Sequence, residues 1–357
     1  MTADRVRRLQ QRLAERNLEA ILITSSVNRA YLSGFTGSSG HLLITLHSSK
    51  LLTDFRYMTQ APAQAPDFEV IEHSSRPIDT VKSLLSADGI KRLGFEQESV
   101  VYSDYAAWSE ALQGTRLVPV SFVVEQLRMV KDPGEIAVMQ EAATLADETF
   151  HYIAGLLKPG MRESDIALEI EVFMRSRGAA SSSFDTIVAS GERSALPHGV
   201  ASDRIIGSNE FVKLDFGAYY KGYCSDITRT VFVGKPTDKH REIYNIVLEA
   251  QMHALSEIKP GMTGKEADAL TRDIITRYGY GDYFGHGTGH GLGMEIHEAP
   301  RLSKTSDTVL TPGMTVTVEP GIYLPGFGGV RIEDDVVITD HGIKILTSSP
   351  KELMLLG

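Results

Sequence analysis

The chain has 357 residues, 42% of them apolar and 23% charged, which is long enough for two cores of unequal size and unlike a disordered or collagen-like chain. A formal charge of −10 with no basic block argues against nucleic acid and anionic membranes as partners, and no apolar run approaches the ~20 residues of a membrane helix. The single cysteine, Cys224, excludes an intramolecular disulfide and a cysteine-based zinc site, suits a reducing cytoplasm, and reads as a small packing residue.

The pattern predicts a helix over residues 6–17, charged and amphipathic, without the apolar core of a signal peptide. Strands follow over 20–24, 41–46, 51–54, 68–72 and 92–95, with helices over 78–86 and 105–112. This alternation indicates a small α/β domain with a mixed sheet, and no glycine-rich phosphate fingerprint opens a helix in it. At Lys131-Asp-Pro-Gly-Glu135, Asp132 can cap a long helix and Pro133 suits its first position. The expected division is therefore a first domain over 1–129 and a second over 130–357.

The second domain repeats itself. Lys158-Pro-Gly-Met161 recurs as Lys259-Pro-Gly-Met262, and each copy leads into a helical stretch ending at a glycine, Gly178 or Gly279. Val212-Lys-Leu-Asp-Phe-Gly-Ala-Tyr-Tyr-Lys-Gly-Tyr223 matches Val316-Thr-Val-Glu-Pro-Gly-Ile-Tyr-Leu-Pro-Gly-Phe327 in its valine, acid, glycine, tyrosine and aromatic positions. Two matched segments in one order imply two similar α+β halves related by a pseudo-two-fold axis.

The matched segments carry acids. Asp215 and Asp226 lie in the first half, Glu319 and Glu333 in the second, and a hairpin in each half is expected to set its two acids side by side. Four carboxylates among apolar strands repel one another and take up protons unless cations neutralise them. Two divalent metals do so, and hard oxygen donors with imidazole suit Mn2+, with Co2+, Fe2+ or Zn2+ as substitutes. The imidazole is expected from Gly285-His-Gly-Thr-Gly-His-Gly-Leu-Gly293, a loop whose glycines admit close backbone approach to a ligand. His290 is the candidate ligand there; His198, His286 and His297 are further candidates around the site.

With these motifs assembled, the sequence resembles the proline-specific metallopeptidases, aminopeptidase P and prolidase, of the pita-bread fold. The motifs are Leu214-Asp-Phe-Gly-Ala218, Ser225-Asp-Ile-Thr-Arg-Thr230, His286-Gly-Thr-Gly-His290, Val318-Glu-Pro-Gly-Ile322 and Gly329-Val-Arg-Ile-Glu-Asp334. The resemblance implies an α+β molecule: a small creatinase-like α/β domain, then a duplicated pita-bread catalytic domain. It implies metal ligands Asp215, Asp226, His290, Glu319 and Glu333, with Asp226 and Glu333 shared by both metals. It also implies that His198, His286 and His297 line the cleft and that Arg331 holds Asp226 or the substrate. Tyr323 is either a neighbour of the site or a core tyrosine. Glu319 is the candidate to pass a proton to the departing nitrogen. The implied activity is cleavage of the Xaa-Pro bond at the N-terminus of short peptides with proline second; cleavage of Xaa-Pro dipeptides is the alternative, and a silent binding protein a remoter one. A cytoplasmic homodimer is implied, with Thr53-Asp-Phe-Arg-Tyr57 either reaching a second copy or simply ending a strand and capping a helix.

Overall fold

The computed structural model describes residues 2–73 and 75–356, which divide into two compact units, Met1–Arg128 and Met129–Gly357. The first unit is built on a mixed sheet of β1 (Ala20–Ile23), β2 (His41–Thr45), β3 (Ser49–Thr53), β4 (Glu69–Glu72), β5 (Arg92–Glu96) and β6 (Arg116–Val120). The spatial order is β4-β3-β2-β1-β5-β6. The β1–β2 and β2–β3 pairs are antiparallel, and the β1–β5, β3–β4 and β5–β6 pairs are parallel. Central β1 is buried along its whole length, and Leu22, Leu43, Leu52 and Leu93 pack against Val81, Leu85 and Trp108 from the helices.

Among the elements here that escape the sequence pattern, two have a plain cause. Helix Ser26–Ser33 carries a buried Arg29, which donates to Gly40 O at 2.6 Å, so a charge interrupts its apolar face. Strand β6 is an edge strand, mostly open to solvent and tolerant of Pro119, so it lacks an apolar alternation. At the end of β3, Asp54 caps a short turn over Phe55–Tyr57 and pairs with the Arg56 guanidinium at 2.8 and 2.9 Å. Arg56 is thus folded back on its own chain.

The second unit opens with helix Pro133–Leu156, held at its start by reciprocal bonds between Asp132 and Glu135 with Pro133 in the first turn. The duplication is then plain in the backbone. Helices Glu163–Ser176 and Gly264–Arg277 each follow a Lys-Pro-Gly-Met turn whose glycine donates to a later connecting segment: Gly160 N to Ile206 O and Gly261 N to Leu310 O, both at 2.9 Å.

The strands of the first half are β7 (Ser181–Ser182), β8 (Ile187–Ser190), β9 (Glu210–Phe216), β10 (Ala218–Tyr220), β11 (Tyr223–Cys224) and β12 (Ile227–Val233). The second half has β13 (Gly289–Gly291), β14 (Glu298–Leu302), β15 (Thr315–Val318), β16 (Gly321–Leu324), β17 (Gly328–Arg331), β18 (Asp334–Ile338) and β19 (Ile343–Ile345), and β20 (Leu355–Leu356) closes the chain. The sheets run β20-β12-β9-β8 and β14-β13-β15-β18-β19, so β8-β9-β12 recurs as β13-β15-β18. Even the register is kept, with Ser190 opposite Val212 and Gly291 opposite Val316.

The acid-bearing strands are not joined by simple hairpins. Between β9 and β12 the chain makes an excursion, β10–β11, that pairs with β7; between β15 and β18 it makes a separate ribbon, β16–β17. Asp215 therefore faces Thr228 rather than Asp226.

Candidate metal centre

Strand alternation puts Phe211, Lys213 and Asp215 on one face of β9. Asp226 enters just before β12, its N–H donating to Asp335 Oδ2 at 2.8 Å. His290 sits in the middle of β13, with its N–H on Thr317 Oγ1 at 3.1 Å. Glu319 follows β15, its N–H donating to Thr288 O at 2.7 Å. Glu333 precedes β18, its N–H on Thr228 O at 3.1 Å and its Oε2 accepting from the Thr228 hydroxyl. Four of the five residues are thus set by a hydrogen bond from their own N–H to a neighbouring segment.

All five line one cavity of about 600 Å³ together with His198, His286, His297 and Arg331. Asp226, His290 and Glu333 each bring a ligand atom within 4.8 Å of the others. His290 Nε2 lies 3.4 Å from Glu319 Oε1 and 3.7 Å from Asp226 Oδ2. Asp226 Oδ1 and Glu333 Oε1 are buried without a hydrogen-bond partner among the described residues.

The electrostatics ask for a cation. Burial, then repulsion from Glu333 and Asp215, pushes Asp226 well above the usual carboxylate range. Burial with Glu319 and Asp215 does the same to Glu333. Glu319 is pushed up to about 7 by burial, against the pull of Arg331. Burial lowers His290 to about 3, so its ring is neutral. Its Nδ1 faces Gly291 O at 3.0 Å, an acceptor only, which fixes the proton on Nδ1. The Nε2 lone pair then faces carboxylate oxygens, an arrangement that repels unless a cation lies between them. Hard oxygens plus one imidazole, with orphaned buried lone pairs, fit divalent metals.

Arg331 differs from expectation. Its guanidinium pairs with Asp215, not Asp226, and also donates to Thr228 Oγ1 at 2.9 Å and Tyr323 OH at 2.9 Å. The cause is register: Arg331 N donates to Thr230 Oγ1, laying β17 along β12, and Thr228 on β12 is the cross-strand neighbour of Asp215. His286 is also more engaged than a free cleft histidine. Its Nε2 meets Tyr323 OH at 2.7 Å and its Nδ1 meets Gly287 O at 2.8 Å, while burial and Arg331 lower it to about 3. His198 and His297 are exposed at the cavity wall.

The glycines around His290 act differently from a ligand-facing loop. Residues Gly289–Gly291 form a strand, and a Cβ on Gly289 or Gly291 would overlap Thr317 O on β15 or Ala299 O on β14. The missing side chains let three strands close on His290. Cys224 is buried, its thiol pushed up to about 12 by burial, as a packing residue should be.

The cavity also holds residues that the sequence pattern does not mark, among them Asp185 and Arg301. Arg301, on β14 directly opposite His290, is exposed, lines the cavity and has no ion pair among the described residues. Its position four residues after His297 is the only signal in the chain, and by itself it is a weak one.

Comparison with known proteins decides the family. Residues 137–340 match the model for metallopeptidase family M24, and residues 5–130 match the creatinase/prolidase N-terminal domain. The chain belongs to metallopeptidase family M24. A solved structure described as an Xaa-Pro dipeptidase from Bacillus anthracis is 54% identical, with TM-score 0.98 and all of both chains covered. A Pyrococcus horikoshii protein named Xaa-Pro dipeptidase is 40% identical over 98% of this chain and 99% of its own. A Thermotoga maritima structure described as an X-Pro aminopeptidase is 42% identical, with TM-score 0.91 over 96% of this chain and 99% of that one. The M24 enzyme is thus a metallopeptidase whose second unit is the duplicated pita-bread fold, preceded by a creatinase-like domain. Among its described residues no helix is long and apolar enough to cross a membrane.

Proposed function

We propose that this M24 enzyme hydrolyses Xaa-Pro dipeptides, with two divalent metals, Mn2+ foremost, held by Asp215, Asp226, His290, Glu319 and Glu333. The observation that carries the dipeptide reading is Arg301. Of the two arginines in the cavity, Arg331 is engaged by Asp215, whereas Arg301 is left to meet an anion from solvent. A dipeptide ending in proline brings a free carboxylate, and an arginine fork binds a carboxylate with two parallel bonds. The resemblance puts an aminopeptidase acting on longer peptides first with the dipeptidase as its alternative, and the sequence does not separate them. Arg301, and the names of the Bacillus anthracis and Pyrococcus horikoshii relatives, support the dipeptidase. The Thermotoga maritima relative supports the aminopeptidase as second reading.

Bound metals supply Lewis acidity and lower the pKa of water towards neutrality. The chain supplies the rest. The Gly291 carbonyl holds His290 in the tautomer that presents Nε2. Glu319, which lines the cavity with Oε1 3.4 Å from His290 Nε2, is placed to pass a proton to the departing nitrogen. His297 and His198, exposed on the cavity wall, can donate to the carbonyl oxygen as charge develops on it. His286, Tyr323 and Arg331 form a chain of hydrogen bonds that holds Asp215.

The test compares Ala-Pro with Ala-Pro-NH2 and Ala-Pro-Ala, using metal-stripped and Mn2+-reloaded enzyme. Hydrolysis is expected only after reloading, with Ala-Pro preferred. Arg301→Ala is expected to lower kcat/KM for Ala-Pro by about 10- to 100-fold, the worth of a charge-assisted hydrogen bond, and to leave Ala-Pro-NH2 nearly unchanged. Equal losses on both substrates would remove Arg301 from carboxylate binding.

A further inference from the structure

Lys213 has no part in the reaction as outlined, yet its amine is fully buried on the strand that carries Asp215, and burial with Arg331 nearby pushes it well below the usual lysine value. It precedes Asp215 by two residues on β9 and shares its strand face. Its Nζ donates to Ser194 O at 3.2 Å, Leu196 O at 2.6 Å and Pro197 O at 3.2 Å. It also lies 5.1 Å from the centre of the Tyr323 ring. Among the described residues it forms no ion pair. Withdrawing an ammonium from water without a counter-ion is costly, and a methionine would fill similar space without that cost.

The three carbonyls indicate what the amine does. They belong to the stretch that leads directly into His198, whose exposed ring lines the metal cavity and whose side chain has no hydrogen bond among the described residues. Nothing local to the ring holds it, so its place depends on the backbone before it. Arg331 Nη1 also donates to Pro197 O, at 3.0 Å. Three carbonyls turned towards one point repel one another, and N–H donors at their centre reverse the sign of that interaction.

The duplication supplies an independent argument. The position matching Lys213 in the second half is Thr317, two residues before Glu319 on β15. Thr317 Oγ1 accepts from His290 N at 3.1 Å and donates to Glu319 Oε1 at 3.1 Å. In both halves, then, the polar side chain two residues before the strand's acid holds a backbone segment that carries a histidine of the site.

We propose that Lys213 is a positioning residue, gathering the carbonyls of Ser194, Leu196 and Pro197 so that His198 is presented to the substrate carbonyl. This rests on the metallopeptidase reading of the cavity.

Kinetics on Ala-Pro with Mn2+-loaded enzyme test it. Lys213→Met is expected to lose roughly 10- to 100-fold in kcat, the scale of a misplaced group, with KM changed less than about threefold and metal content unchanged. The deciding readout is a cycle with His198→Ala. If Lys213 acts through His198, adding Lys213→Met to His198→Ala costs little more. Full additivity of the two losses, or wild-type kcat in Lys213→Met, would overturn the proposal. Should Lys213→Met fail to fold, Lys213→Gln, whose amide can donate to two of the carbonyls, carries the same cycle with a smaller single loss. Failure of wild type to hydrolyse any Xaa-Pro substrate would instead sink the proposed function, an outcome distinct from either.

Discussion

Asp226 is the residue on which the site turns. One oxygen faces His290 Nε2, the other is buried without a partner among the described residues, and its backbone N–H is anchored on Asp335. Asp226→Asn keeps the shape, removes the charge and puts an amide where a lone pair faced the cavity. The expected result is loss of stoichiometric metal and a fall in Ala-Pro hydrolysis beyond the roughly 100-fold that follows from removing a ligand's hydrogen-bond partner. Elemental analysis and kinetics on folded protein check it, and full activity in a metal-loaded variant would exclude Asp226 as a ligand. The acids were readable because duplication marks them at matching places in two halves. The partner of Arg331 was not, because it depends on how β17 lies along β12, a tertiary register that no local pattern records. Arg301 stayed hidden for a related reason: its meaning comes from the strand it faces, not from the residues beside it.

At the scale of elements, the glycine-rich strand β13 tests how closely the site depends on packing. Gly289 and Gly291 sit where β14 and β15 approach His290 from either side. Gly289→Ala forces a methyl against the Thr317 carbonyl, and Thr317 is the group that holds His290 N. The expected cost is about 1–3 kcal/mol of stability, typical of overpacking, with a loss of activity because the strand that moves carries His290. Denaturant unfolding and kinetics read the two effects. Unchanged stability would mean that β13 has room the backbone geometry denies it. Sequence spacing revealed the repeat and most strands of the first unit, since apolar alternation and Gly-Pro punctuation are local signals. It could not reveal that each pair of acid-bearing strands is separated by an excursion, because β10–β11 and β16–β17 pair with each other or with distant β7. That is why the simple hairpin expected between Asp215 and Asp226 is replaced by a register in which Asp215 faces Thr228.

For the second unit as a whole, the centre is where its two halves are joined: Asp215 and Asp226 come from one, His290, Glu319 and Glu333 from the other. Metal should therefore stabilise the folded unit, and pH sets by how much. In the metal-free protein Asp226 and Glu333 are raised well above their ordinary values and Glu319 rises to about 7, chiefly through burial. Through these carboxylates the folded state holds more protons than the unfolded chain between their unfolded and folded values, so their contribution falls as pH rises. His41, His286 and His290, lowered chiefly by burial to about 4, 3 and 3, act in the opposite sense up to the ordinary histidine pKa of about 6.5. The metal-free Tm is accordingly expected to fall from about pH 6.5 to pH 8, where the histidines are neutral in both states and the raised carboxylates alone set the slope. Divalent cations bind the ionised carboxylates and neutral His290, so the Tm gained on adding Mn2+ should grow over the same range. Calorimetry with chelator and with Mn2+ at several pH values measures both slopes. A metal-induced gain that stayed constant from about pH 6.5 to 8 would mean that the carboxylates are already ionised without metal, and the argument from repulsion would fail. Glu333→Gln removes one raised group, so its metal-free Tm should fall less steeply with pH than that of the wild type, which separates this site from titrations elsewhere in the chain.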